Sequence, residues 1–188
     1  MSGSVIVLLV IMAAMGYLIV IYNRFAALRA GIDASWADIE VQLKRRYDLI
    51  PALVEVVKSY KSYEAKTLED IVRVRQEALG AGTVGEKYES AGKVAGALGS
   101  IFALAEAYPD LKANTNFLKL QNELSSLENA LHSARRYYNA IVRDYNYRLE
   151  SFPDMWIAKR FNYHPYDYFE LTVHEAEKAN QMPKIDLS

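Results

Sequence analysis

Two patterns of apolar residues follow one another along this chain. From Val5 to Tyr22 the residues are uncharged and almost all apolar, and no charged residue precedes Arg24. About 20 helical residues, each rising ~1.5 Å, cross the ~30 Å hydrocarbon core of a bilayer. A cleaved signal peptide is the alternative, but the block lacks a basic start and an Ala-x-Ala site and is longer than a typical h-region. The pattern therefore predicts a retained transmembrane helix over residues 1–23.

The second pattern is a spacing of three and four between apolar positions, which indicates amphipathic helices. A first long helix is predicted to continue from the membrane span. Pro51 lacks an N–H and would clash with the carbonyl of Tyr47, so a kink or a local break is expected there. The apolar phase continues through the proline, which favours the kink. The stripe consists of Ile32, Trp36, Ile39, Leu43, Tyr47, Ile50, Val54 and Val57.

Two further helices are predicted before the middle of the chain. A second run contains Leu68, Ile71 and Leu79 and ends in a loop marked by Gly80, Gly82 and Gly85. A third helix is predicted over residues 86–107 and is rich in small residues. Its Gly92-x-x-x-Gly96 spacing is a dimer motif only in an apolar membrane span, and Lys93 excludes that context. We expect a closely packed or locally mobile helix that stops at Pro109.

The fourth helix has the most regular pattern. Asn114 or Thr115 can serve as its N-cap, and Phe152-Pro153 ends it. Its apolar positions form an a/d heptad seam of about four repeats, which suits a bundle or a coiled-coil partner. We expect this seam to face the stripe of the first helix. It consists of Phe117, Leu120, Leu124, Leu127, Leu131, Ala134, Tyr138, Ile141 and Tyr145.

The fold class predicted from these patterns is all-α: an antiparallel up-down helical bundle of long helices, preceded by one transmembrane helix. The bundle is expected to cover residues 24–159. An aromatic-rich tail, residues 160–188, is expected to fold back on the bundle, and a subunit or partner interface is the alternative. The tail residues that are candidates for such an interface are Tyr163, Tyr166, Tyr168 and Phe169.

Neither the composition nor the motifs of the chain indicate a catalytic, cofactor-binding or metal-binding site. The formal net charge is −1, which gives no field that calls for nucleic acid, and there is no cysteine. His132, His164 and His174 are isolated, and the carboxylates of Glu69-Asp70 sit on a polar helical face. No Glu-x-x-His pair, phosphate-binding loop or nucleophile motif occurs. We therefore expect no enzymatic activity, no cofactor and no metal.

One basic cluster, Lys44-Arg45-Arg46, remains. On a continuous helix it lies ~30 Å beyond the membrane exit, several Debye lengths of ~8 Å away, so it cannot act as a juxtamembrane lipid patch. Arg45 falls opposite the apolar stripe and is the best candidate for contact with another subunit. Lys44 and Arg46 flank the stripe, where pairing with acidic residues of neighbouring helices is the simpler expectation.

Several blocks, spread in order over nearly the whole chain, form a recognisable set. They are Trp36, Ile39, Val41–Pro51 with Leu53-Val54, Ala105–Lys112, Phe117, Leu120-Gln121, Leu124, Ala134-Arg135, Tyr138-Asn139, Tyr145-Asn146 and Phe152-Pro153. Together they resemble the LemA family of bacterial membrane-anchored proteins. The resemblance implies one N-terminal transmembrane helix, a soluble helical bundle, and no established enzymatic activity or cofactor. A magnetosome-membrane protein in the wider family hints at a role in membrane organisation. Ala52 departs from the family, which more often has a polar residue there.

The function expected from sequence is a non-enzymatic, membrane-anchored scaffold or organiser that self-assembles at the bacterial inner membrane. The bundle is expected in the cytoplasm, because Arg24 and Arg29 follow the span and no basic residue precedes it. The expected partners are the lipid bilayer and further copies of the chain, with other membrane proteins as a further option, but no nucleic acid. The alternative is a monomeric adaptor or regulator of another membrane complex that binds its partner at the aromatic tail.

Overall fold

The computed structural model describes residues 2–59 and 65–169, and these ranges are built from helices, with no β-strand in them. The prediction of an all-α fold is confirmed. In chain order the helices are α1 (Ser2–Lys58), α2 (Ala65–Gly80), α3 (Val84–Ala107), α4 (Pro109–Lys112), α5 (Thr115–Glu150) and α6 (Asp154–Arg160).

Helix ends follow local signals in the sequence. The Asn114 side chain accepts hydrogen bonds from the backbone N–H groups of Asn116 and Phe117, so Asn114 is the N-cap of α5. Thr83 and Glu86 form a reciprocal capping box at the start of α3. The hydrogen bonds that the Glu86 carboxyl accepts from backbone N–H groups lower its pKa, since they favour its charged form.

The described residues form two compact units. The first contains the chain up to Ile39 together with Ala134–Tyr168, and the second contains the described residues from Glu40 to Ser133 together with Phe169. Both α1 and α5 therefore contribute to each unit.

In the first unit α1 and α5 run antiparallel. The Phe25 and Tyr145 rings lie 5.7 Å apart, and the Trp36 and Tyr138 rings lie 5.6 Å apart. Moving toward the C-terminus of α5 therefore means moving toward the N-terminus of α1. The core of this unit combines the α1 stripe with the C-terminal half of the α5 seam, and Ile32, Tyr138 and Tyr145 are all at most 2% exposed.

The second unit is an up-down arrangement of four helical segments. α2 returns along α1, α3 runs parallel to α1, and α5 runs antiparallel to α3. The core is made of the apolar stripes of these segments, which agrees with the helical periodicity. The contacts that define the directions are Arg75 with Tyr47, Lys87 with Glu40, Arg46 with Ala91, and Phe102 with Phe117.

The glycines of α3 do not make close contacts, which were one of the two expectations for this helix. Ala91 is buried, but Gly92, Gly96 and Gly99 are exposed. A Cβ atom added at any of these three glycines would meet no other atom within 4 Å. Within the described chain, close packing therefore does not explain these glycines.

The N-terminal part of α1 is unlike the rest of the helix. Residues 3–20 are all exposed, whereas Ile21 and Phe25 are buried. α1 contains a segment that is long and apolar enough to cross a membrane. The exposed apolar surface thus ends at Val20, where packing in the first unit begins.

Candidate interaction surfaces

The three basic residues of the cluster have different environments. Lys44 and Arg45 are exposed, whereas only 3% of Arg46 is exposed. Because successive helical residues are turned by about 100°, three neighbours cannot share one face. Arg45 thus points to solvent, and its role as a contact for another subunit stays a prediction, as does that of Lys44.

Arg46 connects three helices of the second unit. Its Nη2 lies 3.2 Å from Oε2 of Glu128 on α5, and its Nη1 donates to the Ala91 carbonyl on α3. Burial lowers the pKa of Arg46, and the nearby Glu128 charge partly opposes this effect. Pairing of Arg46 with an acidic residue of a neighbouring helix, as expected from its wheel position, is present.

A groove lies beside this ion pair, between α3 and α5. Its volume is ≈ 460 Å³, and Leu98, Phe102 and Leu124 line its apolar part. Its polar part consists of Arg46 and Glu128, which pair with each other, and of Gln121 and Ser125.

The proline of α1 is accommodated by a residue from another helix. α1 passes Pro51 without ending, in agreement with the unbroken apolar phase. Pro51 has no N–H to donate to the Tyr47 carbonyl. Nε of Arg75 on α2 donates to this carbonyl instead, at 2.8 Å. Sequence reasoning identified the carbonyl but missed Arg75, because nothing in the local pattern marks a partner from another helix.

The described part of the aromatic tail packs against α1 and α5 of the first unit. The Tyr163 ring lies 5.3 Å from the Phe25 ring, and the Arg29 guanidinium lies 5.5 Å from the Tyr163 centroid. The Asn146 side chain makes two hydrogen bonds, of 2.9 and 3.0 Å, with the backbone of Tyr166. These contacts hold the tail in a fixed register along α5.

The last described tail residues differ in exposure. Tyr168 is 40% exposed, whereas Phe169 is 2% exposed and its ring lies 5.3 Å from that of Tyr88 in the second unit. The role of Tyr163, Tyr166, Tyr168 and Phe169 as a partner surface stays a prediction. The remainder of the tail, including His174, lies outside the described residues.

A small cavity of ≈ 330 Å³ lies between this tail and α1, lined by Arg29, Tyr163 and Tyr166 among others. A hydrogen bond with the Tyr166 side chain raises the pKa of Arg29. The Arg29 guanidinium is permanently charged and can bind an anion. His164 lines the same cavity.

The described histidines and carboxylates do not assemble into a metal site. In residues 2–59 and 65–169 no group of three His, Asp or Glu side chains could hold a metal ion. His132 is exposed, and the His164 ring lies 3.0 Å from the Asn162 amide. Of the Glu69-Asp70 pair, Asp70 forms an ion pair with Arg73.

Tyr138 supplies a pH-dependent contact between α5 and the tail. Its hydroxyl donates to the Asp167 carbonyl at 2.9 Å. Burial is the largest cause that raises the pKa of Tyr138, from 10.0 to about 12, and the charge of Asp167 adds to it. A raised pKa in the folded state means that the contribution of Tyr138 to stability is complete below pH ~10 and is lost as the pH rises to ~12.

We predict that Tyr138→Phe lowers the free energy of unfolding at pH 8 by about 0.5–1.5 kcal/mol, through loss of this hydrogen bond. The variant should also lose less stability than the wild type between pH ~10 and ~12. Urea unfolding across this pH range measures both effects. Tyr137→Phe, at an exposed position on the same helix, is the matched control. Equal pH profiles for the two variants would contradict the assignment.

Two exposed aromatic residues near the end of the first unit, Phe152 and Trp156, were also missed, and a third, Phe161, belongs to the predicted aromatic tail. Phe152 is 72%, Trp156 64% and Phe161 50% exposed. The sequence treated Phe152-Pro153 only as the end of a helix. A detectable signal was present, because Trp156 is followed closely by Lys159-Arg160, and aromatic residues beside basic ones are typical of membrane interfaces.

Fold and site together define the class: an all-α protein in which one helix is long and apolar enough to cross a membrane. The model of the LemA family matches residues 35–187. The protein belongs to the LemA family.

The chain is similar both to magnetosome proteins and to a protein named LemA. It is 23% identical over 192 residues to magnetosome protein MamQ 2 of Paramagnetospirillum magneticum, covering 88% of this chain and 71% of that protein. It is 24% identical over 148 residues to protein LemA of Metamycoplasma hominis, covering 77% of this chain and 64% of that protein.

Proposed function

We propose that this protein is a non-enzymatic, single-pass protein of the bacterial inner membrane, and that it self-assembles as a scaffold through its helical part. The continuity of α1 is the observation that carries the proposal. Residues 3–20 expose an apolar surface ~27 Å long at ~1.5 Å per residue. The same helix then enters the packed core at Ile21 and Phe25. The membrane anchor and the folded part would thus share one helix.

The helical part would lie in the cytoplasm. Arg24 and Arg29 follow the span, and Lys159 and Arg160 are exposed on α6, whose C-terminal neighbour Phe161 lies 5.2 Å from Tyr22. These cations all lie on one side of the span, which the positive-inside rule assigns to the cytoplasm. The test is a reporter that is active only after export, fused to the C-terminus. Activity of this reporter would contradict the proposed topology.

Assembly between copies would use the exposed side of α1 in the second unit. Arg45 lies there and Arg46 does not. Anchoring in one membrane raises the effective concentration of the copies, so weak contacts suffice for assembly. The relatives named as magnetosome proteins are consistent with an organising role.

We predict that Arg45→Glu shifts the full-length protein in detergent toward smaller assemblies. Its circular dichroism spectrum should stay unchanged, because the side chain is exposed. Like charges placed at a contact cost several kcal/mol. Blue-native electrophoresis and light scattering across a concentration series measure the shift. Lys119→Glu, an exposed cation on α5 of the same unit, is the matched control and should leave assembly unchanged.

Two outcomes would contradict the scaffold. The wild type could be a monomer at every concentration, or Arg45→Glu could assemble as fully as Lys119→Glu. A monomer that loses a crosslinked membrane protein after deletion of residues 160–188, while its helices stay folded, would favour the adaptor instead.

A further inference from the structure

Exposed aromatic residues are concentrated at one edge of the first unit. We call Phe152, Trp156 and Phe161 the aromatic edge. The rings of Phe152 and Trp156 lie 5.1 Å apart, and each residue of the edge is at least half exposed. Exposed aromatic clusters of this kind mark interaction sites, because water is a poor environment for them.

The antiparallel register places this edge beside the end of the apolar span. Tyr145 of α5 is level with Phe25 of α1. The end of α5 at Glu150 is therefore level with the α1 residues just before Tyr22. Phe161, which follows α6, lies at this level, since its ring is 5.2 Å from the Tyr22 ring. At Phe161 the edge therefore meets α1 two residues after the exposed apolar surface ends at Val20.

Basic side chains outnumber acidic ones near the edge. Lys159 and Arg160 at the end of α6 and Arg24 on α1 are exposed, as is the acidic Glu150 at the end of α5. Asp154, at the start of α6, is buried and pairs with Arg148 at 3.0 Å, which neutralises it and fixes the helix start. Exposed aromatic rings beside basic side chains are the composition of a segment that lies in a membrane interface.

We propose that the segment from Phe152 to Phe161 is a second membrane contact that lies in the headgroup region of an anionic bilayer. Phe152 and Trp156 enter the boundary between headgroups and acyl chains, and Lys159 and Arg160 lie near the lipid phosphates. This inference rests on the proposed membrane anchoring by α1. Two contacts with one leaflet fix the angle at which the first unit stands on the membrane, whereas a single helix leaves this angle free.

The two tryptophans of the chain make the proposal measurable in full-length protein in nanodiscs of mixed zwitterionic and anionic lipids. In Trp36→Phe the only tryptophan is Trp156, and in Trp156→Phe it is Trp36. Trp36 lies ~21 Å beyond Tyr22 along α1, at ~1.5 Å per residue, and serves as the matched control. Lipids brominated near the headgroup should quench Trp156 at least about twofold more than Trp36, since bromine quenches only nearby rings.

A third variant separates failure of this inference from failure of the anchor. Tyr17→Trp, made in the background Trp36→Phe/Trp156→Phe, places a single tryptophan in the apolar span. If this introduced ring were quenched while Trp156 matched Trp36, the second contact would be refuted and the anchor would stand. If the introduced ring were not quenched, the proposed membrane function itself would fail. If Trp156 were shielded from acrylamide but not quenched by lipid, a protein partner would occupy the edge and the lipid proposal would be wrong.

The charge requirement has its own test. Lys159→Gln/Arg160→Gln should remove the difference in Trp156 quenching between anionic and purely zwitterionic nanodiscs. Arg136→Gln, at an exposed position of α5 in the same unit, should keep this difference. If Trp156 is quenched equally in both kinds of nanodisc in the protein that retains Lys159 and Arg160, the proposed role of these two residues is refuted.

Discussion

Replacing Arg75 by leucine is expected to lower the free energy of unfolding by about 1.5–3 kcal/mol, the range for a hydrogen bond to a charged group. Arg75 donates through Nε to the Tyr47 carbonyl at 2.8 Å. Pro51 has no N–H and so cannot donate the usual helical hydrogen bond to this carbonyl. Without Arg75, the carbonyl receives a hydrogen bond from neither residue 51 nor residue 75. Urea unfolding in detergent, followed by circular dichroism, measures the change.

Pro51→Ala restores a backbone N–H that can bond to the Tyr47 carbonyl. In this background Arg75→Leu should cost less, with a coupling energy of about 0.5–3 kcal/mol between the two sites. Arg73→Leu is the control on the same helix, because Arg73 is exposed and pairs along α2, with Asp70 and Glu77. It should change stability by no more than about 0.5 kcal/mol. An equal cost of Arg75→Leu with proline and with alanine at position 51 would contradict the assignment.

Glu128→Gln is expected to cost about 1–3 kcal/mol, although about half of the Glu128 side chain is exposed. The reason is its partner, because the Arg46 side chain is only 4% exposed and would be left as a buried charge without its counterion. Breaking a fully buried pair costs about 3–5 kcal/mol, and the exposure of Glu128 reduces this figure. Thermal and urea unfolding of the same protein measure it.

The pairing can be separated from a general effect of charge on α5. In an Arg46→Met background, Glu128→Gln should cost no more than about 0.5 kcal/mol, since the buried cation is gone. Glu123→Gln removes another exposed carboxylate from the same helix and should be nearly neutral in both backgrounds. The interpretation is wrong if Glu128→Gln and Glu123→Gln have the same effect in the wild type.

Much of the helical framework could be predicted from local signals. The α5 seam predicted from spacing contains the buried residues Phe117, Leu124 and Tyr138, because helical periodicity selects one face. The ends of α5 were predicted from a cap at Asn114 or Thr115 and from Phe152-Pro153, since capping and proline act over a few residues. The close packing suggested by the glycines of α3 is absent from the described chain, because small residues permit an approach but do not cause one.

Local sequence signals did not determine which aromatic residues of the tail are buried. Its aromatic composition predicted packing, and Tyr163 and Phe169 do pack. The composition could not distinguish Phe169, which is buried, from Tyr168, which is 40% exposed. It also did not reveal the exposure of Phe152 and Trp156, because which aromatic residues stay exposed depends on how α5 and α6 pack in the first unit.

The sequence by itself determined that the chain is helical, that its first segment can cross a bilayer, and which face of each long helix is apolar. These properties depend on length, capping and periodicity, which are local. In the stretch from Lys44 to Pro51 it also separated the outward Arg45 from Lys44 and Arg46, which it placed at the flanks of the apolar stripe, and the structure then showed that Arg46 is buried and Lys44 exposed. Only the tertiary structure decided that Glu128 pairs with Arg46 and that Arg75 bonds to the Tyr47 carbonyl. Partners separated by tens of residues are selected by the packing of helices against each other, and no local pattern carries that information.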